Sequence, residues 1–211
     1  FSIVQFTGTG SAATVGHGLS STPEWIVCKN LENTASWAVY HKDMTSASYT
    51  LFLDTNAAQT SSSTMWNATA PTSSIINVGA NFASNGSSEK MVHYCWHSVD
   101  GFSKFGKYAG NGNADGAFVY TGFKPAWIMI KETGNTNDWM IWDNKRFPLN
   151  PTNNSLFADL NQGDNGSSID LDVLSNGFKC RTNNSQINRS SGSYVYMAFA
   201  EHPFVGDGTS P

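Results

Sequence analysis

Apolar residues in this chain fall in short runs separated by Gly, Asn, Ser and Pro. No window sustains the 3.6-residue spacing of an amphipathic helix. EWIVCK (24–29), a run of β-formers closed by Lys29, predicts the strongest strand of the first hundred residues. Residues 1–7, WAVYHK (37–42), YTLFLD (49–54), IINVG (75–79) and KMVHYCWH (90–97) predict its companions. Later runs are FSKFGKYAG (102–110), AFVYTGF (117–123), AWIMIKE (126–132), WMIWD (139–143) and SLFADL (155–160). IDLDVLS (169–175), FKCRT (178–182) and SYVYMAFAEH (193–202) complete the set. Turn signals recur about every 8–12 residues, the pattern of a sandwich or barrel. Residues 55–74, rich in Ser, Thr, Ala and Asn around Trp66, predict a long surface loop, and 144–154, with two prolines, a second. Asn176-Gly177 reads as a hairpin turn.

The runs also repeat. Phe1 answers to Phe102 and Gly18-Leu19 to Gly122-Phe123, while Pro23, Trp25, Lys29 and Trp37 recur 102 residues later as Pro125, Trp127, Lys131 and Trp139. Leu51-Phe52 resembles Leu156-Phe157, and 91–97 resembles 194–200. A fixed-period echo governs the reading of a fold before any local motif does. The expected architecture is all-β: two tandem antiparallel β-sandwich, jelly-roll-like modules from an internal duplication, residues 1–101 and 102–211. Residues 205–211 are expected to be a flexible tail or linker. The alternative is a single sandwich to which both copies contribute strands, since about 100 residues make a small core.

Charged residues are only 13% of the chain, about half the usual share. The polar surface must therefore come from Ser, Thr, Asn and Gly, which suits a crowded or oligomeric extracellular setting. Net charge is −4 and no basic run exists, so the counterion-release term behind nucleic-acid binding is missing. No apolar run reaches the length of a membrane helix, and neither membrane insertion nor a signal peptide is expected. The opening Phe in place of Met suggests a processed product or a piece of something longer. Three cysteines, Cys28, Cys95 and Cys180, cannot all pair within one chain, and each lies in or near an apolar run, so buried free thiols are expected. Six Asn-x-Ser/Thr sites, at Asn67, Asn85, Asn153, Asn165, Asn183 and Asn188, are largely what so much Asn and Ser produces.

Candidate chemistry is sparse. His93 and His97, four apart on a strand, would stand about 13 Å apart, too far to share a metal ion. Asp164-Asn165-Gly166 and Asp170-x-Asp172 are oxygen-rich enough to hold calcium but read more simply as turns with solvated carboxylates. Asp54 and Asp159 lie near matching places in the two copies, and a turn at a strand end explains them without catalysis. No nucleophile elbow, Cys-His pair or phosphate loop stands out, so the sequence predicts no catalytic residue, no metal and no cofactor. The repeat-matched tryptophans read as core. Trp66, Trp142, Asp143, Asn144 and Phe147 form the candidate binding set. Flat rings beside amides and carboxylates suit sugars, and protein interfaces use the same chemistry.

The second copy carries Tyr108 to Gly112, Gly-Phe-x-Pro-x-Trp-x-x-Ile-Lys (122–131), Trp-x-x-x-Asp (139–143), Ser-Asn-Gly-Phe (175–178) and Tyr-Val-x-x-x-Phe-Ala (194–200). Together these resemble a repeat module of tail-fibre and other virion structural proteins of tailed bacteriophages, including those of marine cyanobacteria. The first copy matches with two extra residues between Gly18 and Pro23 and lacks the Ser-Asn-Gly-Phe turn. The resemblance implies a lectin-like β-sandwich in an exposed fibre or capsid module that helps attach the particle to its host. Implied partners are other virion chains, a second copy of this chain, and a host surface glycan or protein. The same module could instead act as a spacer or decoration protein, or as an extracellular carbohydrate-binding module outside viruses.

Overall fold

A computed structural model describes residues 1–203, except that nothing is said of the side chains of 165–168. The tail expected over 205–211 lies outside the described residues, as does the Asn165 side chain of the candidate calcium loop. The chain divides into two compact units, Phe1–His97 and a second starting at Ser98.

The first unit holds β1 (Ser2–Thr7), β2 (Ala13–Gly16), β3 (Trp25–Asn30), β4 (Ala38–His41), β5 (Tyr49–Phe52), β6 (Thr60–Ser61), β7 (Ile75–Val78), α1 (Phe82–Asn85) and β8 (Lys90–Trp96). Six strands form one sheet in the order β1-β8-β3-β4-β5-β6, and β2 pairs with β7 separately. The second unit holds β9 (Ser103–Ala109), β10 (Phe118–Tyr120), β11 (Pro125–Glu132), β12 (Met140–Asp143), β13 (Thr152–Phe157), β14 (Asn165–Leu174), β15 (Gly177–Cys180), α2 (Ser185–Asn188) and β16 (Ser193–Ala200). Its eight strands form one sheet, β10-β15-β14-β13-β12-β11-β16-β9. Every pairing between named strands is antiparallel. The fold is thus all-β with several antiparallel sheets.

The eight-stranded sheet curls nearly into a barrel. Val119, Ile169, Leu171, Val173 and Phe178 from one end share a core with Ile128, Ile130, Met140, Trp142, Tyr194 and Tyr196 from the other. Alternation supplies that face, because successive strand residues point to opposite sides. In the first unit the sheet is interrupted where β6 is only two residues long, whereas ten-residue β14 pairs with both β13 and β15.

Strand for strand, the two units run in the same order, and their registers agree. Ile26 faces Cys95 where Ile128 faces Ala198, Val39 faces Leu51 where Ile141 faces Leu156, and Val15 faces Ile76 where Val119 faces Phe178. One sequence pairing shifts by a residue. Ser2 stands opposite Cys95 as Lys104 stands opposite Ala198, so Phe1 corresponds in register to Ser103 and not to Phe102.

Two single-turn helices were not legible from periodicity, being too short to show any. Asn81 and Asn184 cap them, each accepting from the backbone N–H two residues on. Their last residues, Asn85 and Asn188, are fully buried. The Asn85 carboxamide accepts from Thr9 N (2.8 Å) and donates to Ser11 O (2.6 Å) and Gly79 O (2.8 Å). The Asn188 carboxamide accepts from Asn111 N (2.9 Å) and donates to Asn113 O (2.8 Å) and Thr182 O (2.7 Å). Each therefore ties the glycine-bearing loop after the first strand to the end of a helix. Both belong to Asn-x-Ser/Thr sequons, and burial with full hydrogen bonding removes them as exposed acceptors.

The Asn176-Gly177 signal has a different physical basis from the one expected. Leu174 pairs with Gly177, so the turn is centred on Ser175 and Asn176 and the glycine opens β15. A Cβ at Gly177 would lie 2.0 Å from Val119 O, so glycine is required by close approach of β10. Gly112, with φ of 67°, does use the left-handed region.

His93, on β8, is fully buried against Phe6 (ring centroids 4.7 Å) and Trp66 (6.3 Å), and neither ring nitrogen has a hydrogen-bond partner. Burial drives its pKa down to about 3.

Two expectations follow. Asn85→Ala and Asn188→Ala each strand several buried backbone groups, and urea unfolding should show a loss of about 2–4 kcal/mol for either variant. A loss below about 0.5 kcal/mol would remove the carboxamides as structural ties. For His93 the unfolded chain takes up a proton near pH 6.5 while the folded chain resists until about 3. Stability should therefore fall as pH drops through that window, by up to about 1.4 kcal/mol per unit. His93→Leu should flatten this slope and raise stability at pH 7, read by denaturant melts at pH 4, 5.5 and 7.

Candidate functional site

Two of the five expected binding residues are corrected by burial. Trp66 is 1% exposed and Trp142 0%, so neither offers a ring face to a ligand. The polar 55–74 loop holds itself down by inserting Met65 and Trp66, and Trp66 packs edge-on to Tyr40 at 5.9 Å. Trp142 alternates inward with Met140 on β12, in the core of the second unit.

The other three, Asp143, Asn144 and Phe147, lie at or beside a cavity of about 380 Å³ in the second unit, with Asn144 and Phe147 in its wall. Lys124, Lys145, Pro148, Asn150, Val173 and Glu201 complete the lining. Each wall has a local cause. Phe147 and Pro148 come from the proline-bearing loop after β12, and Asn150 fastens that loop to β14. Its amide donates to Val173 O (2.8 Å) and accepts from Val173 N (2.9 Å), as a strand neighbour would. Asp143 folds the start of the loop by accepting from the N–H groups of Lys145 (3.0 Å) and Arg146 (2.9 Å). Partial burial works against its charge, but these bonds and the Arg146 guanidinium, at 2.5 Å, hold its carboxyl below the usual range. Arg146 also reaches Asp164 at 2.9 Å.

The opposite wall is ionic. Glu201, just past β16, donates its N–H to Lys124 O (2.8 Å), which fixes the two segments side by side. Its carboxylate meets Lys124 Nζ at 2.7 Å and Lys145 Nζ at 3.4 Å. The Lys124 hydrogen bond outweighs the opposing effect of burial and, with a further bond from Lys145, holds the Glu201 carboxyl below its ordinary pKa. Two ammonium groups thus share one carboxylate. Asn144 is 8% exposed, gives its N–H to Ala126 O (3.1 Å), and its amide lies 3.4 Å from Pro125 O. Its Oδ1 has no hydrogen-bond partner. Sequence reading found the loop through its prolines but missed Lys124 and Glu201, which sit at the ends of strands far apart in the chain.

The remaining candidates are engaged structurally. Asp54 and Asp159 accept from the backbone N–H of Trp37 (3.0 Å) and Trp139 (3.1 Å), the same tie in each unit. Asp172 meets Arg181 at 3.3 Å, and Asp164 meets Arg146. Buried His17 bonds to Thr72 O (3.1 Å) and accepts from Leu19 N (3.1 Å). Buried His41 accepts from Asp43 N (3.0 Å). Cys28, Cys95 and Cys180 are buried free thiols, pushed up in pKa by burial, Cys95 to about 12 and Cys180 to about 11. Among the described residues no group of three or more His, Cys, Asp or Glu could hold a metal ion, and no helix is long and apolar enough to cross a membrane.

Comparison with known proteins gives one positive result. No curated protein and no solved structure matches the chain. A family model does match residues 1–203, both units together, and the chain belongs to that family, described as a domain of unknown function, DUF7483.

Proposed function

We propose that this chain is a non-catalytic pair of β-sandwich modules, descended from one ancestral module by duplication, on the exterior of a tailed-bacteriophage particle. In this reading it is a fibre or capsid appendage component, working beside other virion chains and further copies of itself, and it contributes to host attachment. One observation carries the proposal: the scaffold repeats while a loop does not. Strand order, register, the buried asparagine ties and the Asp54 and Asp159 ties recur in both units. The segment after β4 reads Lys42-Asp43-Met44, whereas that after β12 reads Asn144-Lys145-Arg146 and runs on into Phe147 and the pocket. Repetition of the frame with divergence at a strand-end loop is what a recognition module requires, because loops tolerate change that the core does not. The low charge and the Ser/Thr/Asn-rich surface support an exterior, assembled setting. A role without catalysis is supported by the structural engagement of Asp54, Asp159, Asp164, Asp172, His17 and His41.

The test is location. Mass spectrometry of gradient-purified virions from the source of this sequence should recover the chain at structural-protein abundance. An antibody against residues 144–150 should label intact particles at the distal part of an appendage. Absence from purified particles would sink the virion reading. Labelling only after particle disruption would replace attachment by a spacer role.

A further inference from the structure

We infer that the cavity between the 144–150 loop and the Lys124–Glu201 pair is a binding site for a single carboxylated sugar unit, a monosaccharide of the uronic-acid class. The inference deepens the attachment reading and rests on it for its biological meaning, but the binding itself stands on the geometry of the second unit.

Size comes first. About 380 Å³ lies within the roughly 300–1,000 Å³ of small-ligand sites, at the lower end. Charge comes next. Lys124 and Lys145 face one carboxylate, Glu201, so the wall carries one positive charge in excess. Lys145 has a side chain 78% exposed and only the longer 3.4 Å contact, so it is free to turn to an incoming anion. A dianion such as inorganic phosphate fits poorly, because Glu201 stands between the two ammonium groups and repels a second negative charge. A monocarboxylate uses the single excess charge and leaves the Lys124–Glu201 bond intact.

The rest of the lining selects for hydroxyls around that carboxylate. Glu201 is an acceptor, while the Asn150 amide is committed at both ends to the Val173 backbone and serves to hold the wall in place. Asn144 is more than nine-tenths buried, lines the cavity, and holds an Oδ1 that nothing in the protein satisfies. A buried acceptor without a donor is costly; Oδ1 itself is shut off from solvent, and a turn of the Asn144 side chain that brings it to a ligand hydroxyl supplies the missing donor. Phe147 and Pro148 supply an apolar wall on which the C–H face of a pyranose can rest. An ammonium for the carboxylate, acceptors for hydroxyls and a ring for the sugar face are all present. No covalent step is involved.

The experiment is a titration of the ¹⁵N-labelled full chain with sodium galacturonate and glucuronate, with glucose and inorganic phosphate as separate arms at equal ionic strength. One or both uronates should give saturable shifts confined to residues around 124, 144–150, 173 and 201, with a dissociation constant on the order of 1 mM. Glucose should give none at the same concentration. Lys145→Ala and Phe147→Ala should each weaken binding about tenfold, the size of one charged hydrogen bond or one packed ring. Spectra elsewhere in the chain report whether each variant is folded. Lys145 is exposed, so its variant keeps the test valid if Phe147→Ala unfolds. Equal response to glucose, a stronger response to phosphate at the same residues, or no saturation by 50 mM of either uronate would each overturn the assignment. Such a failure leaves the particle-labelling result untouched, so the two proposals fail separately.

Discussion

Two buried carboxamides hold this protein in shape. An all-β fold built from short strands has long excursions between them, and backbone N–H and C=O groups there lack a strand neighbour to satisfy them. Asn85 and Asn188 supply those partners, since one carboxamide both accepts and donates. Each binds the loop after its unit's first strand and a carbonyl that precedes its own helix turn. The helices themselves are only four residues long and have little stability of their own. They persist because Asn81 and Asn184 cap one end while the carboxamides anchor the other.

With the loops held, the strand ends are fixed, and the site follows from that. The β11 and β16 strands pair from Pro125–Ala200 to Glu132–Tyr194, so Lys124 and Glu201 must emerge side by side at one end. The loop after β12 is pulled over the same end by Asn150 on Val173. A pocket at the margin of a rigid sheet can change its side chains without disturbing the core, which reconciles the repeated frame with unlike loops.

His93 shows the cost that a repeated frame can carry. Its counterpart in register is Tyr196, whose ring packs in the second core against Phe178 at 5.5 Å. In the first unit the same place holds an imidazole with neither nitrogen satisfied. The surrounding rings tolerate it only in the neutral form, which couples stability to acid.

The all-β class was legible in the sequence because strand burial imposes a period of two and turns impose Gly, Asn and Pro. The echo of Trp25, Lys29 and Trp37 in Trp127, Lys131 and Trp139 follows matching places, on β3 and β11 for the first two pairs and just before β4 and β12 for the third. Yet Trp37 is exposed where Trp139 is buried, so the echo did not fix which tryptophans are core. Asn144 and Phe147 could be picked out because an amide and a ring follow a strand end where prolines force a loop, although Asn144 itself proves to be buried. Which tryptophans were buried could not be read the same way. Trp66 sits in a polar loop, and only the packed fold reveals that the loop needs an apolar plug. Lys124 and Glu201 are 77 residues apart in sequence, and their 2.7 Å contact exists only because β11 and β16 are neighbours in the sheet. The same holds for the asparagine ties. Their partners lie up to 77 residues away, and no spacing along the chain encodes a hydrogen bond that tertiary closure creates.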